Sequence, residues 1–450
     1  VKFKPLGSDT EMTWKEALSA NYTDGMLILH QGRIIYEKYF GCLDQAGKHG
    51  AMSMTKSMTG LLAEILVAEG KLDDKALVSS VVSELKDSAF GNATVRQVMD
   101  MTTALDFSED YSDPKAGIWV YAAAANPLPK PADYKGPVGY YAYLQTLQQK
   151  GTHGDAFGYK TVNSDALGWI IARTTGRSMA DFFSDQIWSK IGAEQDAYMT
   201  IDALGTPFAG GGLSAGLRDL GRIGLLMLNE GKLNGQQVFP AAAVESIKAG
   251  GSKGAFEKGG FKSLPGGSYR GMWWVFHNDH GAFAARGVHG QTIYVDPTAD
   301  MVIVRFASHP QAKNAYIDPT SLPAYQAVAE HLVKKAAASS LTGNWKIASL
   351  RDSGQFNMAE TELVVMDDGR WGLTIGCNRL MTKPAVTGAE VLIDQIAATR
   401  KACPPDLEKL EDRLLLALGA ARSLILDDTS SKLTLRDANG SELVTFSRGQ

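Results

Sequence analysis

Ser53-Met54-Thr55-Lys56, followed at once by Met58-Thr59-Gly60-Leu61-Leu62-Ala63-Glu64-Ile65-Leu66-Val67, decides how this chain of 450 residues is read. Apolar residues at 58, 61, 62, 65 and 66 fall at helical spacing, so the run predicts a buried helix that starts at Ser53 and stops near Gly70. Residues three apart on a helix share a face, which brings the Lys56 amine within reach of the Ser53 hydroxyl. A serine hydroxyl attacks poorly at neutral pH unless a base takes its proton. Lysine is that base only where burial and neighbouring positive charge lower its pKa from about 10.4 towards about 7–8, at a cost of roughly 4 kcal/mol. An enclosed site is therefore expected. The alternative is a helix-capping serine followed by a solvated lysine, because four-residue motifs recur by chance.

Working outward, residues 26–30 and 33–36 flank Gln31-Gly32 and predict a tight β-hairpin ahead of Ser53. From about 57 to 250 the pattern is mainly helical, with helices at 165–173 and 216–229 and a loop rich in Pro, Gly and Ala at 127–139. Strands return at 272–276, 281–285, 292–295 and 301–306, and an amphipathic helix at 322–335 closes this part. The order of strands, helical insertion, strands and helix predicts an α/β (α+β) domain. Its antiparallel sheet is built from both ends of the domain and flanked by helices, with a helical subdomain inserted. Composition breaks at Ala336-Ala-Ala-Ser-Ser340. Beyond it lie short strands at 362–365, 371–375, 423–426, 432–435 and 443–446, and one helix at 406–418. Roughly 110 residues can hold a core of their own. We therefore expect domains at 1–338 and 339–450, the second small and mainly β.

Composition narrows the function classes. The chain is 44% hydrophobic and 21% charged with a formal net charge of −4, so no basic footprint for nucleic acid is present. No apolar run reaches the ~18–20 residues of a membrane span. Val1 opens the chain without a methionine or a signal-like segment, which fits removal or trimming of a targeting peptide. Cys42, Cys377 and Cys403 are too few for a disulfide scaffold and leave room for one bridge, with Cys377–Cys403 the favoured pair. His277-Asn-Asp-His280 lacks a third ligand, so no metal is expected there. Gly210-Gly-Gly212 lacks the Gly-Lys-Ser/Thr ending of a phosphate loop and reads as a close-packed turn. No cofactor is expected.

Together with three further stretches, the Ser-x-x-Lys motif resembles that of the serine β-lactamase and penicillin-binding superfamily. These stretches are Phe157-Gly-Tyr159-Lys-Thr161-Val-Asn163, Gly210-Gly-Gly-Leu213 with Arg218-Asp219, and Gly287-Val-His-Gly-Gln291 opening a strand that ends Val295-Asp296-Pro297. The resemblance spans roughly residues 15–335 and is closest to the class C-like branch of 6-aminohexanoate-dimer hydrolases and related esterases. It implies an acyl-enzyme on Ser53, with Lys56 and Tyr159 handling the proton, Tyr159 as a phenolate or as a shuttle. It also implies an oxyanion held by the amides of Ser53 and of a residue within 287–291. Gln291 is favoured, with Gly290 beside it. His289 is then a polar group on the substrate side or a structural donor, and Tyr111, in the loop after Met101-Thr-Thr103, a substrate contact. Two departures matter. Thr161 stands where the family has the asparagine of Tyr-x-Asn, and Val288-His289 replace the lysine of Lys-Thr-Gly. The missing cation argues against an efficient β-lactamase or peptidase unless Arg286, beside the same strand, stands in for it. The expected activity is serine hydrolysis of small carboxylic esters or linear amides. The rivals are a β-lactamase or penicillin-binding peptidase, and a non-catalytic ligand-binding or sensor protein of this fold. The expected partner is a small-molecule substrate, without nucleic acid, and the oligomeric state stays open.

Leu341-Thr-Gly-Asn-Trp345, Gly376-Cys377-Asn378 and Thr399-Arg-Lys-Ala402-Cys403 resemble the META (heat-shock-protein-like) domain over most of 340–450. That resemblance implies an accessory module and a periplasmic or secreted location, with a cytoplasmic one still open.

Overall fold

A computed structural model of the chain describes residues 1–261, 263–354, 360–387, 389–427 and 431–449. It divides into two compact units, Val1–Ala329 and Glu330–Gln450.

In the first unit the hairpin forms as its sequence predicts. Strand β1 (Thr23–His30) pairs antiparallel with β2 (Arg33–Tyr39). Gln31 and Gly32 close the turn at φ 51° and 71°, the left-handed pair that suits a two-residue link between right-twisted strands. Two short strands, β3 (Lys48–Gly50) and β4 (Leu213–Gly216), pair beneath the Ser53 loop. The later strands are β5 (Ser268–Arg270), β6 (Trp273–Val275), β7 (Phe283–Arg286), β8 (Thr292–Asp296) and β9 (Met301–Ala307). They extend the hairpin sheet in the order β5-β6-β7-β8-β9-β1-β2, antiparallel throughout. Because β9 pairs with β1 from Met301↔His30 to Ala307↔Thr23, strands from both ends of the unit meet inside one sheet. Every residue of β9 is buried, the signature of a strand covered on both faces.

Helix α1 (Met54–Ala68) is buried from Met54 to Leu66. Its depth depends on Gly60, where a Cβ would lie 1.8 Å from the Gly271 carbonyl oxygen. Alanine normally favours a helix over glycine by about 1 kcal/mol. Here Gly60→Ala is expected to do the reverse and lower stability by about 1–3 kcal/mol through overpacking, read as a lower Tm in thermal unfolding. Glu64 on the same helix is 1% exposed and ion-paired with Arg96, which also holds Asp74 at 2.8 Å. Helix α2 (Val162–Thr175) stops at left-handed Gly176, and α3 (Leu217–Leu228) packs on β1, β8 and β9.

Helix α4 (Asp318–Leu341) is longer than the helix expected at 322–335, because it runs through the alanine-serine stretch instead of ending before it. Alanine is the strongest helix former and serine no breaker, so a shift in composition there is not a break in structure.

In the second unit the described residues form a ten-stranded antiparallel sheet with α5 (Pro405–Ala420). Trp345, Trp371, Phe446, Leu414 and Leu418 make its core, each at most 1% exposed. Cys377 and Cys403 form a disulfide, and Cys42 is free and exposed. Among the described residues no helix is long and apolar enough to cross a membrane.

Candidate active site

The chain enters α1 through Met52, whose φ of 48° is a left-handed backbone uncommon for a side chain of its size. Ser53 follows as the N-cap but makes no side-chain cap bond, so its hydroxyl is not used to start the helix. Instead Lys56 Nζ donates to Ser53 Oγ at 2.9 Å and to the Gly210 carbonyl at 2.6 Å. The lysine is not solvated. It is 1% exposed, and burial lowers its pKa to about 8, against the upward pull of Glu109 and Asp165. The neighbouring positive charge expected from the sequence is not what tunes it; two carboxylates face it and desolvation outweighs them. At pH 7 such an amine is neutral about a tenth of the time.

Tyr159 lies beside this pair. Lys56 Nζ is 5.3 Å from its ring centroid, the ring stacks on Trp274 at 5.6 Å, and the Ser53 hydroxyl is near enough to act against the burial that raises the tyrosine's pKa. Burial, then the Glu109 charge, raise the Tyr159 pKa above its ordinary value. This corrects the phenolate reading. The lysine that was to stabilise the anion is itself shifted towards neutrality, and the nearest carboxylate opposes a second negative charge. A neutral tyrosine is left, able to accept one proton while donating another.

Glu109 was missed from the sequence. Its carboxylate accepts from the Thr161 amide at 2.6 Å, the Thr161 hydroxyl at 2.6 Å and the Tyr111 hydroxyl at 3.0 Å. It also explains the departure at 161, since threonine there anchors the glutamate. Asn163 does not substitute for the missing asparagine; it is buried and accepts from Thr103 Oγ1 at 2.6 Å. The only hint in the sequence was an acidic residue two positions before Tyr111.

A cavity of about 480 Å³ opens beside Tyr159, walled by Glu109, Tyr111, Tyr159, Trp274, Gly287 and Val288 among others, with Ser53 and Lys56 behind that wall and not part of it. Tyr111 thus lines it, whereas Gln291, Gly290 and His289 do not. Gln291 is 1% exposed and spends its amide on the Ala307 backbone, donating at 2.5 Å and accepting at 3.0 Å. Gly290, at φ 98°, gives its carbonyl to Arg305 Nε at 2.8 Å. His289 Nδ1 is 2.7 Å from the His309 carbonyl oxygen, and its own amide donates to Ala312. All three brace a single 3-10 turn at Val288–Gly290, where an extended strand was expected. Val288 opens this turn and lines the cavity, and the left-handed φ of 63° at His289 makes the turn kinked rather than a regular helix. Gly287 brings the turn against the nucleophile loop: a Cβ on it would lie 2.8 Å from the Ala51 oxygen and 3.1 Å from Met52 Cβ.

Arg286 also reaches the cavity, but it is 6% exposed, ion-paired with Asp318 and laid over the Trp274 ring at 5.3 Å. His277 and His280 do not converge. The first contacts Ser268 Oγ at 2.8 Å and the second Asp296 at 3.0 Å.

With this geometry in view, the comparisons with known proteins agree on one relationship. The beta-lactamase family profile matches residues 20–322, and the META domain profile matches residues 339–450. The 6-aminohexanoate-dimer hydrolase of Paenarthrobacter ureafaciens is 36% identical over 298 residues, 66% of this chain and 75% of that protein. Among solved structures, a Bacillus anthracis protein provisionally designated a 6-aminohexanoate-dimer hydrolase is 35% identical. It superposes with a TM-score of 0.66 over 72% of this chain and 84% of its own. The octameric penicillin-binding protein homologue of Pyrococcus abyssi shares 15% identity and a TM-score of 0.51 over 96% of this chain and 97% of its own, a likeness of fold alone.

Proposed function

Because this chain belongs to the beta-lactamase family of serine hydrolases, we propose that it cleaves small carboxylic esters or linear amides through an acyl-enzyme on Ser53. The observation that carries this is the 2.9 Å contact between Ser53 Oγ and a buried Lys56 amine whose pKa is brought to about 8. Neutral Lys56 takes the hydroxyl proton as Oγ attacks the carbonyl carbon, and the resulting ammonium is held by the Gly210 carbonyl. Charge developing on the carbonyl oxygen faces the amides of Ser53 and Val288, each typically worth ~3–4 kcal/mol to the transition state. Tyr159 passes the proton to the departing alkoxide or amine. Water then enters by the same route and releases the acid. The names of the two relatives above 30% identity support extending the reading from esters to linear amides. The test is intact-mass spectrometry after treatment with a short alkyl phosphonate ester: one adduct, mapped to Ser53, is expected, and an unmodified Ser53 would overturn the mechanism.

The cavity also bears on β-lactams. With no lysine on the strand and Arg286 neutralised by Asp318, the strand side of the cavity offers no unpaired cation to a β-lactam carboxylate, and Lys313, on another segment of the wall, is the remaining cation among the described lining residues. A charge-assisted hydrogen bond is worth about 1.5–3 kcal/mol. The kcat/KM for a short acyl ester should therefore exceed that for a chromogenic cephalosporin by at least about tenfold. Equal values would favour the β-lactamase reading instead.

We assign catalysis to residues 1–338 and an accessory role to 339–450. Every proposed catalytic group precedes residue 339, so a chain ending at Ser339 should keep ester hydrolysis; a folded but inactive product would make the second unit part of the enzyme. The Cys377–Cys403 bridge supports a periplasmic or secreted location, since such bridges persist in oxidising compartments.

A further inference from the structure

We infer that the cavity beside Ser53 contains a second recognition subsite, made by Arg286 and Asp318, for an uncharged group that both donates and accepts a hydrogen bond, namely a secondary amide a few bonds from the scissile carbonyl. The inference rests on the serine hydrolase reading and deepens it. Both residues line the cavity, and they are 6% and 2% exposed. Arg286 Nη2 donates to Asp318 Oδ1, which uses one of the five N–H groups a guanidinium offers. The other carboxylate oxygen, Asp318 Oδ2, is buried and makes no hydrogen bond of ordinary geometry, although the Ser263 hydroxyl, in the same wall, acts on this carboxylate and lowers its pKa against the burial that raises it. A buried acceptor left unmatched is costly, so a ligand N–H that reached it would be favoured. The pair thus shows donors on one side and an open acceptor on the other, the pattern an amide C=O and N–H complete.

Charge excludes the simpler ligands. Among the described residues lining the cavity, Glu109 and Asp318 oppose Arg286 and Lys313. The formal signs balance across the cavity, and at the Arg286–Asp318 pair itself a carboxylate or an ammonium would have to break the ion pair. Trp274 under the guanidinium and Phe261 offer apolar walls to the chain joining the two carbonyl groups. Proximity follows from sequence: Arg286 is two residues from the Val288 amide assigned to the oxyanion.

Two substrate series test this. On the acyl side they are the 4-nitrophenyl esters of pentanoate, N-acetylglycine and glutarate (monoester). On the leaving side they are the acetate esters of pentan-1-ol, N-(2-hydroxyethyl)acetamide and 4-hydroxybutanoate. In one series the amide-bearing member should show at least about tenfold higher kcat/KM than both the alkyl and the carboxylate members. Replacing a buried ion pair by apolar residues is often tolerated. Arg286→Met/Asp318→Leu, checked by circular dichroism, should bring the amide-to-alkyl ratio to within about threefold of one. Asp318→Asn, a milder change, should shift preference towards the carboxylate member by unpairing Arg286. No amide preference in either series, a carboxylate preference in the wild type, or a preference unchanged in the folded variants would overturn the subsite. Absence of any ester hydrolysis would instead overturn the hydrolase reading beneath it.

Discussion

Ser53→Ala should reduce kcat/KM for a short-chain chromogenic ester by ~10⁴–10⁶, the range for loss of a covalent nucleophile in a cooperating group. The oxyanion amides and the cavity survive the change, so a small residual rate over water is expected. Stability should barely move, because the Ser53 side chain caps nothing and its hydroxyl serves Lys56 and Tyr159 alone. Measuring both quantities separates chemistry from folding. A variant with wild-type thermal unfolding and near wild-type activity would remove Ser53 from the mechanism.

Lys56→Met should lower kcat/KM by ~10²–10⁴, the usual contribution of a positioned general base. In the wild type kcat/KM should rise with pH and level off above about 8, as the amine loses its proton. Tyr159→Phe should lose a similar factor yet keep that limb, since the titration belongs to the lysine. The same burial makes Lys56 a stability cost. Below about pH 8 the amine is protonated in both folded and unfolded chains and the desolvation penalty, roughly 3 kcal/mol, is fully present. Between about 8 and 10.5 the folded state sheds a proton that the unfolded chain keeps, so stability rises with pH across that window. Lys56→Met has no such term. Its stability relative to wild type should fall by roughly 3 kcal/mol from pH 8 to 10.5, measured by denaturant unfolding. A flat difference would mean that the lysine titrates normally and cannot be the base.

Elements with a strong local pattern were legible beforehand: the β1–β2 hairpin, helices α1 to α3, and the paired cysteines. The three-residue strand β5 and the short strands at 379–398 escaped, because three or four residues carry too little periodicity to read. The alanine-serine stretch in α4 was misread for the opposite reason, composition standing in for a boundary that helix propensity does not recognise.

The site divides along the same line. Ser53 and Lys56 are one helical turn apart, so their contact follows from local geometry, and Tyr159 and Tyr111 came with recognisable surroundings. The oxyanion amide did not: the sequence favours Gln291, and the turn that puts Val288 on the cavity wall underlies our proposal of Val288 instead. Glu109 reaches Thr161 across 52 residues of sequence, and Arg286 meets Asp318 across 32. By itself the sequence determined the Ser53–Lys56 pair that we propose as nucleophile and base and the α+β plan, since each is written at short range in spacing and apolar period. Only the tertiary structure decided the lysine's pKa, the tyrosine's protonation and the charge balance of the cavity. Those depend on burial and on carboxylates brought close by distant parts of the chain, and electrostatic energy follows distance in space rather than along the sequence.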